Sequence, residues 1–263
     1  MAAEEKSRHQ EIPIALQLYS VRHECQRDDG RNFPAVVEAV ARMGYEGVEF
    51  AGYYGWQAPD IRKVLDDNGL KCCGAHVGID TLLGRELQRS IELHKTLDNR
   101  FLIVPGLPEE FRCCADAWAD TAKTFNTIAD ALEPHGMYTG YHNHHIEFQP
   151  MEGRVPWDIF FGGTYENVVM QLDIGNAIHG GADCAEILRE YPGRSLTIHI
   201  KEYGGGPEAV VGEGEVNWKE LVPLIAEAGG TQWYIIEHER DPARAMDDVE
   251  RCLKNFREIL EGS

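Results

Sequence analysis

The chain is short of positive charge. It sets 25 Lys and Arg against 44 Asp and Glu, a formal net charge of −19 over 263 residues. A nucleic-acid-binding surface needs a basic patch, so this balance counts against one. The acidity reads as a solubility feature. No apolar stretch approaches the ~20 residues that cross a bilayer. The opening "MAAEEKSRHQE" is polar and lacks the apolar centre of a secretory signal, so 1–11 is expected to be a flexible leader. Cysteine is odd in number, at 7, and has no CxxC spacing. Two pairs, Cys72–Cys73 and Cys113–Cys114, are chain neighbours, which rarely bridge. A reduced, cytoplasmic protein is expected. No GxGxxG follows the first strand and no Walker A sequence occurs. The glycine runs "FGG", "HGG" and "YGGG" read as loops.

What is present is strict alternation. Runs rich in β-branched and aromatic residues predict strands at 14–19, 47–50, 70–76, 101–104, 137–142, 168–173, 195–200 and 233–237. Amphipathic segments between them predict helices at 32–43, from Pro59 to "DNG", 83–97, 115–133, 157–160, 185–190, 218–228 and 242–260. Gly44 is the expected stop of the first helix and Pro59 sits in a first turn. Eight strand–helix units without a linker, in close to ~250 residues, predict one closed parallel (β/α)8 barrel over 12–263.

The chemistry collects at strand ends. "YTGYHNHHIEF" carries His142, His144 and Glu147; "NVVMQLDIGN" carries Asp173 and Asn176; "SLTIHIKEY" carries His199, Lys201 and Glu202; "QWYIIEHER" carries Glu237. In a β/α barrel such ends converge on one mouth. A lone polar residue there most often caps a helix or satisfies a loop. Several on successive strands are different, because clustered carboxylates repel one another unless a cation neutralises them. Oxygen and imidazole donors suit one divalent ion, Mn²⁺, Mg²⁺, Co²⁺ or Zn²⁺. Asp173 has a rival role as a turn former before Gly175–Asn176, and His199 as a satisfied core histidine. Glu147 lies beyond its strand, so His142 or His144 is an alternative ligand. Alternation sets His142 and His144 on one face, where an imidazole suits proton transfer near neutral pH. Gln17, Tyr19, Glu49 and His76 in the first half, with Arg22 nearby, and Asn176, Lys201 and Glu202 in the second, are candidate substrate contacts. Trp56, Trp157 and Trp218 are candidate walls for a sugar ring.

The stretches "LQLYSVR", "GYEGVEF", "GAHVG", "YHNHHIEF", "QLDIGNA", "HIKEY", "VGEGEVNW" and "YIIEHE" span nearly the whole chain. In this order they resemble the sugar-phosphate isomerase/epimerase family of the xylose-isomerase-like barrel superfamily. The resemblance implies a barrel with one metal ion held by Glu147, Asp173, His199 and Glu237. It also implies chemistry on a small sugar-like substrate, without nucleic acid or membrane; self-association into a homo-oligomer stays open. The leading expectation is an isomerase or epimerase that removes an α-proton through a metal-stabilised enediolate. Glu147 and Glu237 would flank the carbon, with His142 or His144 as relay. The "HNH" histidines depart from the ketose epimerase pattern and lean towards a lyase that eliminates water or a glycosidic oxygen from a keto-sugar or inosose. A non-catalytic sugar-binding barrel is the reading from another class. An abasic-site endonuclease is disfavoured by the charge.

Overall fold

The computed structural model describes residues 8–263. The strands are β1 (Ile14–Gln17), β2 (Gly47–Phe50), β3 (Lys71–His76), β4 (Phe101–Val104), β5 (Tyr138–His142), β6 (Val169–Gln171), β7 (Thr197–Ile200) and β8 (Trp233–Ile236). All pair in parallel, in the order β6-β5-β4-β3-β2-β1-β8-β7, so the first strand lies beside the last. The remaining seam, β6 to β7, is held by a single bridge, Asp173–His199, with the His199 N–H donating to the Leu172 carbonyl at 2.9 Å. The expected (β/α)8 barrel is therefore present and nearly closed, and its loosest seam runs through two candidate site residues.

The strands follow the apolar runs because each is buried on both faces, by helices outside and by the barrel interior within. The helix Phe33–Met43 stops where Gly44 takes φ 101°, a left-handed conformation that a side chain would strain. Two expected helices are shorter and preceded by tight turns: Ile79–Leu82 then Glu86–Thr96, and Pro242–Arg244 then Ala245–Glu261. At the second, the Asp241 carboxylate accepts from the Ala243 N–H and caps the turn. Two short helices, Arg22–Gln26 and Ile174–His179, stand where loops were expected. Of the expected leader, 1–7 lie outside the described residues. Its last four residues, Arg8–Glu11, instead form a helix whose Gln10 side chain donates to the Leu260 carbonyl at 3.0 Å.

Most buried apolar side chains fill the layer between strands and helices. Among the described residues, two small apolar clusters fill the barrel interior, Ala15–Cys73–Ile235 and Phe101–Ile103–Val169. Above them, towards the strand C-termini, the interior turns polar.

Candidate active site

The polar interior is built by period-2 alternation. Gln17, Gln171, Asp173 and Glu237 follow the inward positions of the lower clusters at two-residue steps, and Glu49, His76, His142, Thr197 and His199 join them from neighbouring strands. Glu49, fully buried, is the hub. Its Oε2 accepts from Gln17 Nε2 and His199 Nε2, both at 2.7 Å, and its Oε1 accepts from Gln171 Nε2 at 2.7 Å. Gln171 also donates to Thr197 Oγ1 at 3.0 Å, and its Oε1 lies 2.7 Å from His76 Nε2. Gly74 makes room for the hub: a Cβ there would stand 2.5 Å from Glu49 Oε1. Burial alone would raise the Glu49 pKa, but His76, His199 and the hydrogen bonds hold it below the usual range.

Beside the hub, one ligand atom each from His142, Asp173, His199 and Glu237 lie within 4.8 Å of one another, and all four residues are buried. His199 Nδ1 sits 2.9 Å from Glu237 Oε2 and 3.8 Å from Asp173 Oδ2, without an aligned hydrogen bond to either. His142 Nδ1 and Asp173 Oδ2 are buried and equally unpartnered. Orphaned buried polar atoms are costly and rare. Three such atoms, in a cluster of two imidazoles and two carboxylates, fit one divalent cation. His76, His142 and His199 form an overlapping second group of nearby ring nitrogens.

The protein's own cations partly neutralise the cluster. Lys201 Nζ donates to Glu237 Oε1 at 2.7 Å and Glu239 Oε1 at 2.6 Å, and lies 4.0 Å from Asp173 Oδ2. Burial opposes charge on both basic groups, but the carboxylates prevail. Glu237, Asp173 and Glu239 raise the Lys201 pKa. Glu49 and Glu237 push His199 up to about 10. Burial lowers His142 well below its ordinary value and so keeps a neutral, ligand-ready imidazole. The two carboxylates are driven apart. Burial pushes Asp173 up to about 7, whereas Lys201 and His199 overcome burial and hold Glu237 well below the carboxylate range.

The remaining candidates divide between the mouth and the scaffold. Glu147 is turned away from the cluster: its Oε1 accepts from the Tyr141 hydroxyl at 2.7 Å and its Oε2 from the His144 N–H at 2.8 Å. It lies in the tight turn Ile146–Phe148, past the point where strand alternation sets direction, and His142 stands in the cluster where Glu147 was expected. His144 is exposed at the mouth, its ring 5.3 Å from that of His142. Glu202 lines the smaller mouth cavity, but its carboxylate is taken up by its own loop. It accepts from the Tyr203, Gly212 and Val216 N–H groups and from Trp218 Nε1, at 2.7–3.1 Å, which explains "VGEGEVNW" as its cradle. Gln17 is spent on Glu49 and on the Tyr19 N–H. Tyr19 is 40% exposed at the rim beneath Arg22, whose guanidinium lies 3.8 Å over its ring. The Asn176 N–H donates to Asp173 Oδ1 at 2.7 Å, so Asp173 caps the unexpected helix Ile174–His179 as well as facing the cluster. Trp157 and Trp218 are buried, and Trp56 Nε1 donates to the Gly30 carbonyl at 2.9 Å; none of the three forms a mouth wall.

Asn143 is a residue that sequence reasoning missed. Buried between the histidines, it clamps the Asp173 backbone, with its Oδ1 accepting from the N–H at 2.8 Å and its Nδ2 donating to the carbonyl at 3.1 Å. Gln171 was missed as well, although its place two residues before Asp173 marks the same inward face.

Two cavities open over the cluster. One, of about 620 Å³, is lined by Tyr19, His76, His142 and His144 among others; the other, of about 530 Å³, by Asn176, His179, Lys201 and Tyr203 among others. Both touch Glu237 and Glu239. Among the described residues no helix is long and apolar enough to cross a membrane.

An inosose dehydratase of Clostridium tetani is 25% identical over 268 residues, covering 87% of this chain and 89% of that one. A rhizopine catabolism protein, MocC, of Rhizobium meliloti is 21% identical over 244 residues, covering 78% of this chain and 74% of that one. A solved structure of a sugar phosphate isomerase/epimerase from Parabacteroides distasonis superposes with a TM-score of 0.79 at 25% identity, covering 93% of this chain and 97% of that one. The model of the xylose isomerase-like TIM barrel matches residues 37–258, most of the barrel, and the chain belongs to that family.

Proposed function

We propose that the protein is a divalent-metal-dependent lyase of the dehydratase type, acting on a small keto-polyol, keto-sugar or inosose by α-proton removal and β-elimination. The observation that carries this reading is the asymmetry of acid–base groups around the cluster. Glu237 and His144, one carboxylate and one imidazole, line the same cavity, while Glu147 is engaged with Tyr141. An epimerase of the two-glutamate kind needs a second carboxylate facing the same carbon; an elimination needs one base and an acid for the leaving oxygen.

His142, Asp173, His199 and Glu237 are the residues that would hold the ion, with Mn²⁺, Mg²⁺, Co²⁺ and Zn²⁺ all compatible with the donors. When bound it supplies a Lewis acid for the substrate carbonyl and its neighbouring hydroxyl. Glu237 Oε1, on the side away from His199, takes the α-proton as Lys201 passes its hydrogen bond from that oxygen to the oxyanion that develops on the substrate. The C–H electron pair becomes a C=C bond conjugated with the carbonyl, the β C–O bond breaks, and His144 gives its proton to the departing oxygen. Asn143 fixes Asp173, and Glu49 fixes the His199 ring. The name of the Clostridium tetani relative supports the dehydratase reading. Isomerisation or epimerisation shares the first step and is the second reading, favoured by the likeness to the Parabacteroides protein. Seven free cysteines accord with a reducing, cytoplasmic setting.

The test is incubation of Mn²⁺-loaded protein in D₂O with inososes, 3-keto-glycosides and ketoses. A conjugated elimination product is expected. Deuterium at the α-carbon without elimination would favour the isomerase. Neither outcome, with the ion bound and every substrate intact, would overturn both.

A further inference from the structure

Resting on that reading, we infer that the mouth has two ring subsites and that the substrate is two linked polar rings, a glycoside of a keto-sugar or keto-polyol. The two cavities, about 620 and 530 Å³, are each of a size that binds a small molecule. They adjoin at Glu237 and Glu239, the two carboxylates that Lys201 bridges. The chemical groups therefore stand at the junction of the two cavities, where a bond joining two rings would lie.

The walls differ in kind. The larger cavity carries the imidazoles of His76, His142 and His144, the groups the reaction needs. The smaller carries an aromatic pair on its wall, His179 and Tyr203. The His179 and Tyr203 rings stack with centroids 5.9 Å apart at 27°, and His145 continues the stack at 4.6 Å and 29°. His179 is exposed and Tyr203 half-buried, and both line the cavity, so a ligand there meets this stack along its rim. An aromatic wall with Lys201 and Asn176 in the same cavity suits a sugar ring, which has an apolar face and a hydroxyl rim. The Tyr203 side chain is free to do this because the loop is anchored elsewhere, through Glu202. A single small ring held in the larger cavity would leave this wall unused.

Linking two rings makes the second contact intramolecular, so a two-ring probe should bind about tenfold or more tighter than its one-ring part. The test titrates the full chain, loaded with Mn²⁺, with methyl β-glucoside and myo-inositol as one-ring probes and with methyl β-cellobioside and trehalose as two-ring probes. The expected result is a two-ring preference that falls to about one in Tyr203→Ala and His179→Ala. Tyr203→Phe should keep the preference, since it keeps the ring. Melting temperature and metal content, followed in parallel, separate loss of the subsite from loss of fold or ion. If no two-ring probe outbinds its one-ring counterpart, or if Tyr203→Ala weakens both kinds alike, the two-subsite inference is overturned. Missing metal together with missing α-deuterium exchange would instead sink the catalytic reading beneath it.

Discussion

The two ends of the barrel interior are made by the same strands under opposite rules. At the bottom, Ala15, Cys73 and Ile235, and separately Phe101, Ile103 and Val169, pack dry. Two residues further along, the inward positions become Gln17, Glu237 and Gln171, and His199 follows Thr197 on β7. The lower layer gains stability by excluding water. The upper layer gives some of it up, since it holds buried charges and three unpartnered polar atoms, on His142, Asp173 and His199. Stability and chemistry are thus separated by about two residues of strand rise, and each layer can be changed with little effect on the other.

The largest expected effect breaks the upper layer. Asp173→Ala removes an orphaned carboxylate, so we expect loss of bound metal and a fall in kcat of about 10³-fold or more, without loss of fold. Retained metal and activity would erase the distinction between layers. Next comes the lower layer: Ile235→Ala should cost about 2–4 kcal/mol in denaturant unfolding while leaving metal content unchanged. A rate loss larger than the stability loss would show the layers to be coupled.

A smaller effect comes from outside both layers. His94 is buried, with its pKa lowered to about 4 by burial against 6.5 for a free imidazole. Its depressed folded pKa means that the unfolded chain binds the proton first as pH falls. The stability it protects is complete above pH 6.5 and is lost on acidification towards pH 4, with about 1–2 kcal/mol gone between pH 7 and 5. His94→Gln should flatten that acid limb, as followed by urea unfolding at several pH values; an unchanged slope would contradict it. The smallest effect is expected at Glu147→Gln. It weakens a loop anchor by about 1 kcal/mol, with modest changes in rate.

The strands were legible because apolar runs bounded by turn residues have few other solutions in a chain of this length. Asp173, His199 and Glu237 were legible because strand alternation continues to the mouth. The same logic fails one step beyond a strand. Glu147 sits in a tight turn, so its direction depends on Tyr141 and on the His144 N–H, which no periodicity reveals. Glu202 looked like a mouth residue, but its partners at Gly212, Val216 and Trp218 lie ten or more residues away along a loop. Glu49 was placed at the mouth as a substrate contact; its role as the buried hub depends on β6 and β7 meeting β2 across the interior. The helix Ile174–His179 was hidden because "DIGN" reads equally as a turn and as a capped helix start.

The central claim is that His142, Asp173, His199 and Glu237, rather than Glu147, hold a divalent ion. It is tested most directly by elemental analysis of protein purified without chelator. The account predicts one divalent ion per chain in the wild type and in Glu147→Gln, and loss of that ion in His142→Ala and Asp173→Ala. An ion lost from Glu147→Gln but kept in His142→Ala would contradict it.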